Sequence, residues 1–155
     1  MSEAPRLSRI PWPPLLYLAA ALAGLKLGEW FPMAWWPTDW RVQLAGLVVI
    51  AAALGFDLWA MGTMMRRRAN ILPNRPATAL VTTGPFRITR NPIYLGNTVM
   101  VGGFAVAFGN PWFIPCALAA ALAVNRLAIR REEAQLAALF GPEWDAYAAR
   151  TRRWL

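Results

Sequence analysis

The sequence predicts an all-α fold: a polytopic membrane helical bundle of about four transmembrane helices, followed by a cytoplasmic C-terminal amphipathic helix. Three observations predict it. The 155-residue chain is 57% hydrophobic and 15% charged, against roughly a quarter charged in an ordinary soluble domain. Its apolar stretches are long and alternate with short arginine-rich ones. Four of them approach the ~20 residues that a helix needs to cross a bilayer core. The length has room for one domain, residues 1–155, and no repeat, low-complexity tract or linker suggests a second.

The first span runs from about Pro13 to Trp30. Arg6 and Arg9 precede it, and Ala21-Leu22-Ala23 resembles a signal-peptide cleavage site, but the multispanning remainder favours an uncleaved span. The second span covers about Val42 to Met65, the third Pro92 to Phe108 and the fourth Trp112 to Ile129. Asn110-Pro111 leaves room only for a tight helical hairpin between the last two. Span three is short, so it begins at the membrane surface or is locally mismatched. Gly24 with Gly28, and Gly103 with Ala107, place small residues four apart, the spacing that lets helices approach closely. From Glu132 to Tyr147 the pattern is an amphipathic helix broken by Gly141-Pro142, with Leu136, Leu139 and Phe140 on its apolar side.

Arginines set the orientation. The loop from Arg66 to Arg90 carries six, and the segment from Arg126 onward carries six more. The other side has Arg41 near Asp39 and nothing basic in the hairpin turn. The positive-inside rule then puts both termini and the long loop in the cytoplasm, in what reads as a bacterial inner membrane. Trp30, Phe31, Trp35, Trp36, Trp40, Trp112 and Phe113 form an outer aromatic belt, and Trp12, Trp144 and Trp154 an inner one.

Composition also excludes classes. The net charge of +8 comes from arginines beside apolar spans, with no basic domain or stacking platform, so no nucleic-acid partner is expected. Cys116 is the single cysteine, which excludes an intrachain disulfide or a zinc cluster. There is no histidine, so any chemistry runs without an imidazole base or metal ligand. No metal site and no protein partner are predicted; the expected partners are membrane lipids and a lipophilic small molecule.

Two polar segments meet at the inner membrane face. In the first, Asn91-Pro92 is a sound helix start, since Asn caps a free N–H and Pro fits the first helical position. Arg87 and Arg90 lie just outside that N-terminus, a place that favours a carboxylate or phosphate. The plainer reading is a capped helix whose arginines reach lipid phosphates. The second segment is Arg130-Arg131-Glu132-Glu133. Adjacent helical residues point about 100° apart, so the two glutamates do different jobs: one faces the bundle and the other pairs with an arginine. The plain alternative is a solvated surface with Glu133 three residues from Arg130. Asp57 lies within span two, where a buried charge is costly and is paired or functional; Arg126 is one candidate partner. Lys26 and Glu29 pair or snorkel.

The run Gly84-Pro85-Phe86-Arg87, with Arg90-Asn91-Pro92-Ile93-Tyr94-Leu95-Gly96, resembles the TGPYR…RHPxYxG signature of the isoprenylcysteine carboxyl methyltransferase and phospholipid methyltransferase group. Glu132-Glu133, Leu136, Phe140-Gly141, Trp144, Tyr147 and Arg153 resemble the group's EExxL…FGxxYxxY…PR ending. The resemblance covers about residues 80–155. It implies a membrane methyltransferase using S-adenosyl-L-methionine at the cytoplasmic mouth of the last spans. By that resemblance, Arg90, Asn91, Tyr94, Leu95, Gly96, Glu132 and Glu133 are the cofactor-binding residues, and Arg126, Arg130 and Glu132 act on the acceptor. Asn91 stands where many members have histidine; it hydrogen-bonds as an imidazole does but does not titrate. The usual proline before Arg153 is also missing.

Methyl transfer from a sulfonium is an in-line displacement that needs alignment and exclusion of water. A carboxylate or thiolate acceptor needs no base, which tilts the expectation toward an anionic acceptor. A prenylated cysteine carboxylate, a phospholipid amine and a lipophilic thiol remain open. Two rivals stand beside this reading. Sterol-type membrane reductases using a nicotinamide cofactor share the C-terminal layout, but their NYxGE motif differs from Ile93-Tyr94-Leu95-Gly96-Asn97. A noncatalytic lipid-binding module is the other.

Overall fold

The computed structural model describes residues 12–33, 36, 39–70 and 77–155, with Trp12 described through its backbone. The expectations resting on Arg6, Arg9, Trp35, Arg75 and the Trp12 ring lie outside these residues. The described elements are helical throughout. Helix α1 is Trp12–Trp30, α2 Trp40–Arg66, α3 Pro92–Ala107 and α4 Phe113–Val124. A π turn at Asn125–Ile129 joins α4 to α5, Arg130–Phe140, and α6 is Pro142–Arg150. A short 3-10 turn, Gly84–Arg87, precedes α3.

Sequence chemistry accounts for the boundaries. Asp39 accepts the Arg41 N–H at 2.6 Å and starts α2, as an N-cap carboxylate does. Pro92 occupies the first turn of α3. Gly141 separates α5 from α6 with φ at +49°, a left-handed conformation that a side chain disfavours. Asn110 makes the tight turn between α3 and α4: its Oδ1 accepts the Trp112 N–H at 3.1 Å and its Nδ2 donates to the Gly24 carbonyl at 2.8 Å.

Helix α3 is central, packed against α2 on one side and against α4 and α1 on the other. The interior is made of small residues: Ala53, Ala60, Val101, Ala105, Ala117, Ala120 and Val124 are buried, around Phe113 and Ile129. The large apolar side chains point outward instead, with Leu15, Leu18 and Leu22 on α1, Leu54 and Leu58 on α2, and Leu118 and Leu122 on α4 exposed. A water-soluble bundle does the reverse, because water drives its leucines inward. Among the described helices, α2 and the continuous run Phe113–Phe140 are long and apolar enough to cross a membrane; α3 is apolar but shorter.

The expected close approaches are present, with partners the spacing alone could not name. Gly24 lies against Phe113, Gly28 against Asn110, and Gly103 against Val49 and Ile50. The tightest approach against backbone is at Gly46, where an added Cβ would lie 2.2 Å from the Ala107 nitrogen. Asp57 is buried and faces Gly96, whose added Cβ would sit 1.8 Å from Asp57 Oδ1. That oxygen has no hydrogen-bond partner. The Asp57–Arg126 ion pair does not form, because α2 packs on α3 while Arg126 is exposed on the far helix.

Backbone contact makes Gly46 the sharper test of this packing. Gly46→Ala forces α2 and α3 apart and should cost about 1–3 kcal/mol. Gly55→Ala meets nothing within 4 Å and should be neutral or stabilising by up to ~1 kcal/mol through helix propensity. Thermal unfolding of both variants in detergent decides; equal losses would sink the tight-packing account.

Candidate functional site

At the end of the bundle where α2 finishes and α3 begins lies a cavity of about 470 Å³. Its walls come from the first turn of α1, the last turns of α2, the residues before and at the start of α3, and helices α5 and α6. The apolar part includes Pro13, Pro14, Met61, Met64, Leu80 and Ile93; the polar part includes Arg90, Asn91, Tyr94, Glu132 and Glu133.

The π turn aims the two glutamates. The buried stripe of α4 is Phe113, Ala117, Ala120 and Val124. Five turns of about 3.6 residues beyond Phe113 would bring Arg131 onto that stripe. The wider π turn absorbs one extra residue, burying both Ala128 and Ile129, so that Glu132 and Glu133 face inward and Arg130 and Arg131 stay exposed. Single π turns of this kind recur at functional sites.

The glutamates have separate partners, as their 100° offset requires. Glu132 accepts a 2.6 Å hydrogen bond from the Tyr94 hydroxyl. Glu133 is gripped by two arginines: Arg90 at 3.1 Å, and Arg153 through Nε and a terminal nitrogen. The expected Glu133–Arg130 pair is absent among the described ion pairs; Arg130 points outward while Arg90 and Arg153 converge across the cavity wall. The Glu133 carboxylate beside it pushes the Arg153 guanidinium further up from its ordinary value.

The C-terminal segment closes the polar end. The Arg90 N–H donates to the Arg152 carbonyl at 2.9 Å. The Thr89 hydroxyl and Asn91 Nδ2 both donate to the Arg153 carbonyl, at 3.0 and 2.9 Å. Asn91 therefore does not cap α3 with its side chain, contrary to expectation; it clasps the tail. Arg90 also donates to the Ala148 carbonyl at 3.1 Å and lies 5.6 Å from the Trp144 ring centroid. The Tyr147 hydroxyl donates to the Phe86 carbonyl at 2.7 Å, and burial pushes it up to about 12. On the bundle side, the Tyr17 hydroxyl donates to the Tyr94 carbonyl at 2.9 Å, tying α1 to α3.

Of the candidate residues, Arg90, Asn91, Tyr94, Glu132 and Glu133 line one cavity. Leu95 and Gly96 do not line it; Gly96 is used up against Asp57. Arg126 and Arg130 are exposed on the outer side of the last long helix. The sequence reading missed the tail clasp and the lining roles of Met61, Met64 and Asn97. Thr89, one residue before the arginine that opens the motif, was the available signal for the clasp.

Two charged groups in this cavity have unmet capacity. Arg90 Nε–H is enclosed and has no acceptor, which leaves a donor unsatisfied at a real cost. Glu132 has a hydroxyl partner and no basic one among the described ion pairs. The arrangement thus places one guanidinium and one carboxylate on the cavity wall.

A helical bundle with small residues inside, leucines outside and an amphiphilic cavity at one end is a membrane-type helical protein. The chain belongs to the phospholipid methyltransferase family, matching it over residues 42–143, from α2 to the start of α6. It is similar to the nickel-cobalt-cadmium resistance protein NccN of Alcaligenes xylosoxydans xylosoxydans, 31% identical over 116 residues. That match takes in 75% of this chain and 52% of the relative. The cobalt-zinc-cadmium resistance protein CzcN of Cupriavidus metallidurans is 29% identical over 116 residues, 75% of this chain and 51% of its own length. The chain spans about half the length of the curated relatives it matches.

Glu133→Gln and Arg153→Met should each lower stability by about 1–2 kcal/mol, since each leaves a mostly buried partner short of a charge. The double variant should fall short of additivity by about 1 kcal/mol. Denaturant unfolding of the four proteins measures this, and strict additivity would dissolve the clasp.

Proposed function

We propose that this chain is an integral membrane enzyme that moves a methyl group from S-adenosyl-L-methionine to a lipophilic acceptor. Four helices, α1 to α4, cross the bilayer, with the cavity at the cytoplasmic mouth and both termini on that side. Nine exposed arginines favour this orientation: Arg66, Arg67, Arg68 and Arg87 on one flank and Arg126, Arg130, Arg131, Arg150 and Arg152 on the other. At the opposite end the described cations are Lys26, paired with Glu29, and Arg41. The arginine asymmetry fits a bacterial inner membrane.

The observation that carries the proposal is the charge pair on the cavity wall, the Arg90 guanidinium with the Glu132 carboxylate. The methionyl end of the donor bears a carboxylate and an ammonium. The Arg90 guanidinium suits the carboxylate, and Glu132, with a hydroxyl and no basic partner among the described ion pairs, suits the ammonium, each as a charge-assisted hydrogen bond. Tyr94 holds Glu132 in place by its 2.6 Å bond. Glu133, already held by two arginines, acts as a positioning residue for Arg90. The apolar walls supply a water-poor setting in which such contacts strengthen. When bound, the donor supplies an electrophilic methyl carbon. The relatives' names speak of metal resistance; among the described residues no three His, Cys, Asp or Glu side chains cluster to hold a metal, so the family membership guides the reading.

Calorimetric titration in mild detergent tests it. S-adenosylmethionine and S-adenosylhomocysteine should bind saturably and NADPH should not. Glu132→Gln and Tyr94→Phe should weaken both by about tenfold, the loss of one charge-assisted contact, while Lys26→Met should not. Binding of NADPH alone would turn the assignment to a reductase, and a folded sample that bound none would make it a noncatalytic lipid-binding module.

A further inference from the structure

Helices α5 and α6 form a wall of the cavity that rests on the bundle along one seam. The last fully buried position before them is Ile129, at the end of the π turn. From Arg130 onward α5 buries no residue. Its inward side chains, Glu132, Glu133, Gln135 and Leu136, line the cavity, so they look onto open space rather than onto a packed neighbour. Among the described elements, α5 packs on the π turn and on α6, and neither α5 nor α6 packs along α1, α2 or α3. Beyond the continuous helix itself, every hydrogen bond and ion pair joining α5, α6 or the tail to other described residues ends between Phe86 and Tyr94. Two tryptophans add apolar contact: Trp144 lies over Arg90 in that same stretch, and Trp154 of the tail is partly buried against the core.

Such a wall is held by polar contacts that are each worth little net, at a place where opening uncovers a cavity instead of a packed core. Segments with few buried apolar contacts open at low free energy. The π turn supplies the pivot, because long helices bend at such turns. Asn125 Oδ1, enclosed within it, has no hydrogen-bond partner, so that oxygen does not brace the turn.

We infer that α5, α6 and the tail form a hinged lid, pivoting at Asn125–Ile129 and latched on residues 86–94, and that this lid admits and releases the methyl donor. This rests on the proposed donor site and deepens it. Arg90 belongs to the fixed side of the seam and Glu132 to the lid, and the donor's carboxylate and ammonium go one to each. The donor therefore bridges the seam only when the lid is shut. A ligand closes a lid through just such a difference in contacts between the two states. Opening parts Tyr94 from Glu132 and Arg90 from Glu133 together, so both charged ends of the donor are released in one movement.

The test uses the detergent-solubilised full chain with S-adenosylhomocysteine as the probe. Thr89→Val and Arg153→Met each remove a latch contact made by a side chain that is not on the cavity wall. In amide hydrogen exchange without ligand, Thr89→Val should speed α5 and α6 together about fivefold, the worth of one hydrogen bond. Arg153→Met should speed them about tenfold, the worth of one charge-assisted contact, and neither variant should speed α3. Saturating S-adenosylhomocysteine should slow both helices. In stopped-flow binding, the association and dissociation rates should rise by those same factors, since a gated ligand passes only through the open state. Thr89→Ser keeps the hydroxyl and should keep the unaltered rates. Exchange that rises equally in α3, an association rate that stays fixed in both variants, or α5 and α6 left unslowed by bound ligand would overturn the lid while leaving the donor site standing. A folded sample that binds no S-adenosylhomocysteine would overturn both. The slowing of α5 and α6 by ligand in the unaltered protein decides even if neither variant folds.

Discussion

Glu133, between Arg90 and Arg153, is the contact on which the cavity's shape depends. Its three members come from the approach to α3, from α5 and from the segment after α6. Remove the carboxylate and two guanidiniums face each other with no anion between them. The backbone bonds from Arg90, Thr89 and Asn91 to the carbonyls of Arg152 and Arg153 then hold the tail against like-charge repulsion. With Glu133 present, the same bonds and the ion pairs reinforce one another, and Arg90 is fixed with its Nε–H unpartnered. The cluster is partly buried, with Arg90 and Glu133 side chains 15% and 14% exposed, so its Coulomb energy is less screened than that of an exposed pair.

The bundle that carries this cluster is built on a different force. Inside lipid there is no water to drive leucines together, so helices associate through close van der Waals contact and small residues. Gly46 against the Ala107 backbone and Gly103 against Val49 and Ile50 bring α2 onto α3. Gly96 allows the buried Asp57 to lie on α3. Few polar contacts join the spans, and those present sit at the ends: Asn110 to Gly24 at one, Tyr17 to Tyr94 at the other. The rigid base of the cavity is therefore α3, anchored from both flanks.

Much of this was legible in the amino-acid order. Helix bounds followed from apolar run length and from Pro92, Asn110 and Gly141, because those signals act within a few residues. Five of the polar residues that line the cavity, Arg90, Asn91, Tyr94, Glu132 and Glu133, were readable from two short motifs. What escaped depends on distance in sequence. Arg153 is 20 residues from Glu133, and nothing local distinguishes it from Arg130, which is nearer but lies on the wrong side. The Asp57 environment was equally hidden, since a glycine opposite a carboxylate leaves no periodic trace.

The π turn explains why nearness along the chain misleads here. Spanning the bilayer requires an apolar stripe with the α-helical period, and Phe113 to Val124 keeps it. The site requires acidic residues on that stripe immediately afterward, where arginines are favoured at the cytoplasmic surface. A regular helix would have put Arg131 inside and exposed Glu132 in part to the basic rim. One extra residue between Asn125 and Ile129 rotates the continuation by about 100°, separating the two demands. Arginines stay exposed, glutamates turn to the cavity, and neither end of the helix has to compromise its composition. The cost is a turn of poorer hydrogen bonding, offset by burial of both Ala128 and Ile129 in the core. The same rotation keeps Arg130 and Arg131 exposed on the outer side of that helix, while Arg90, among the described arginines, stands on the cavity wall.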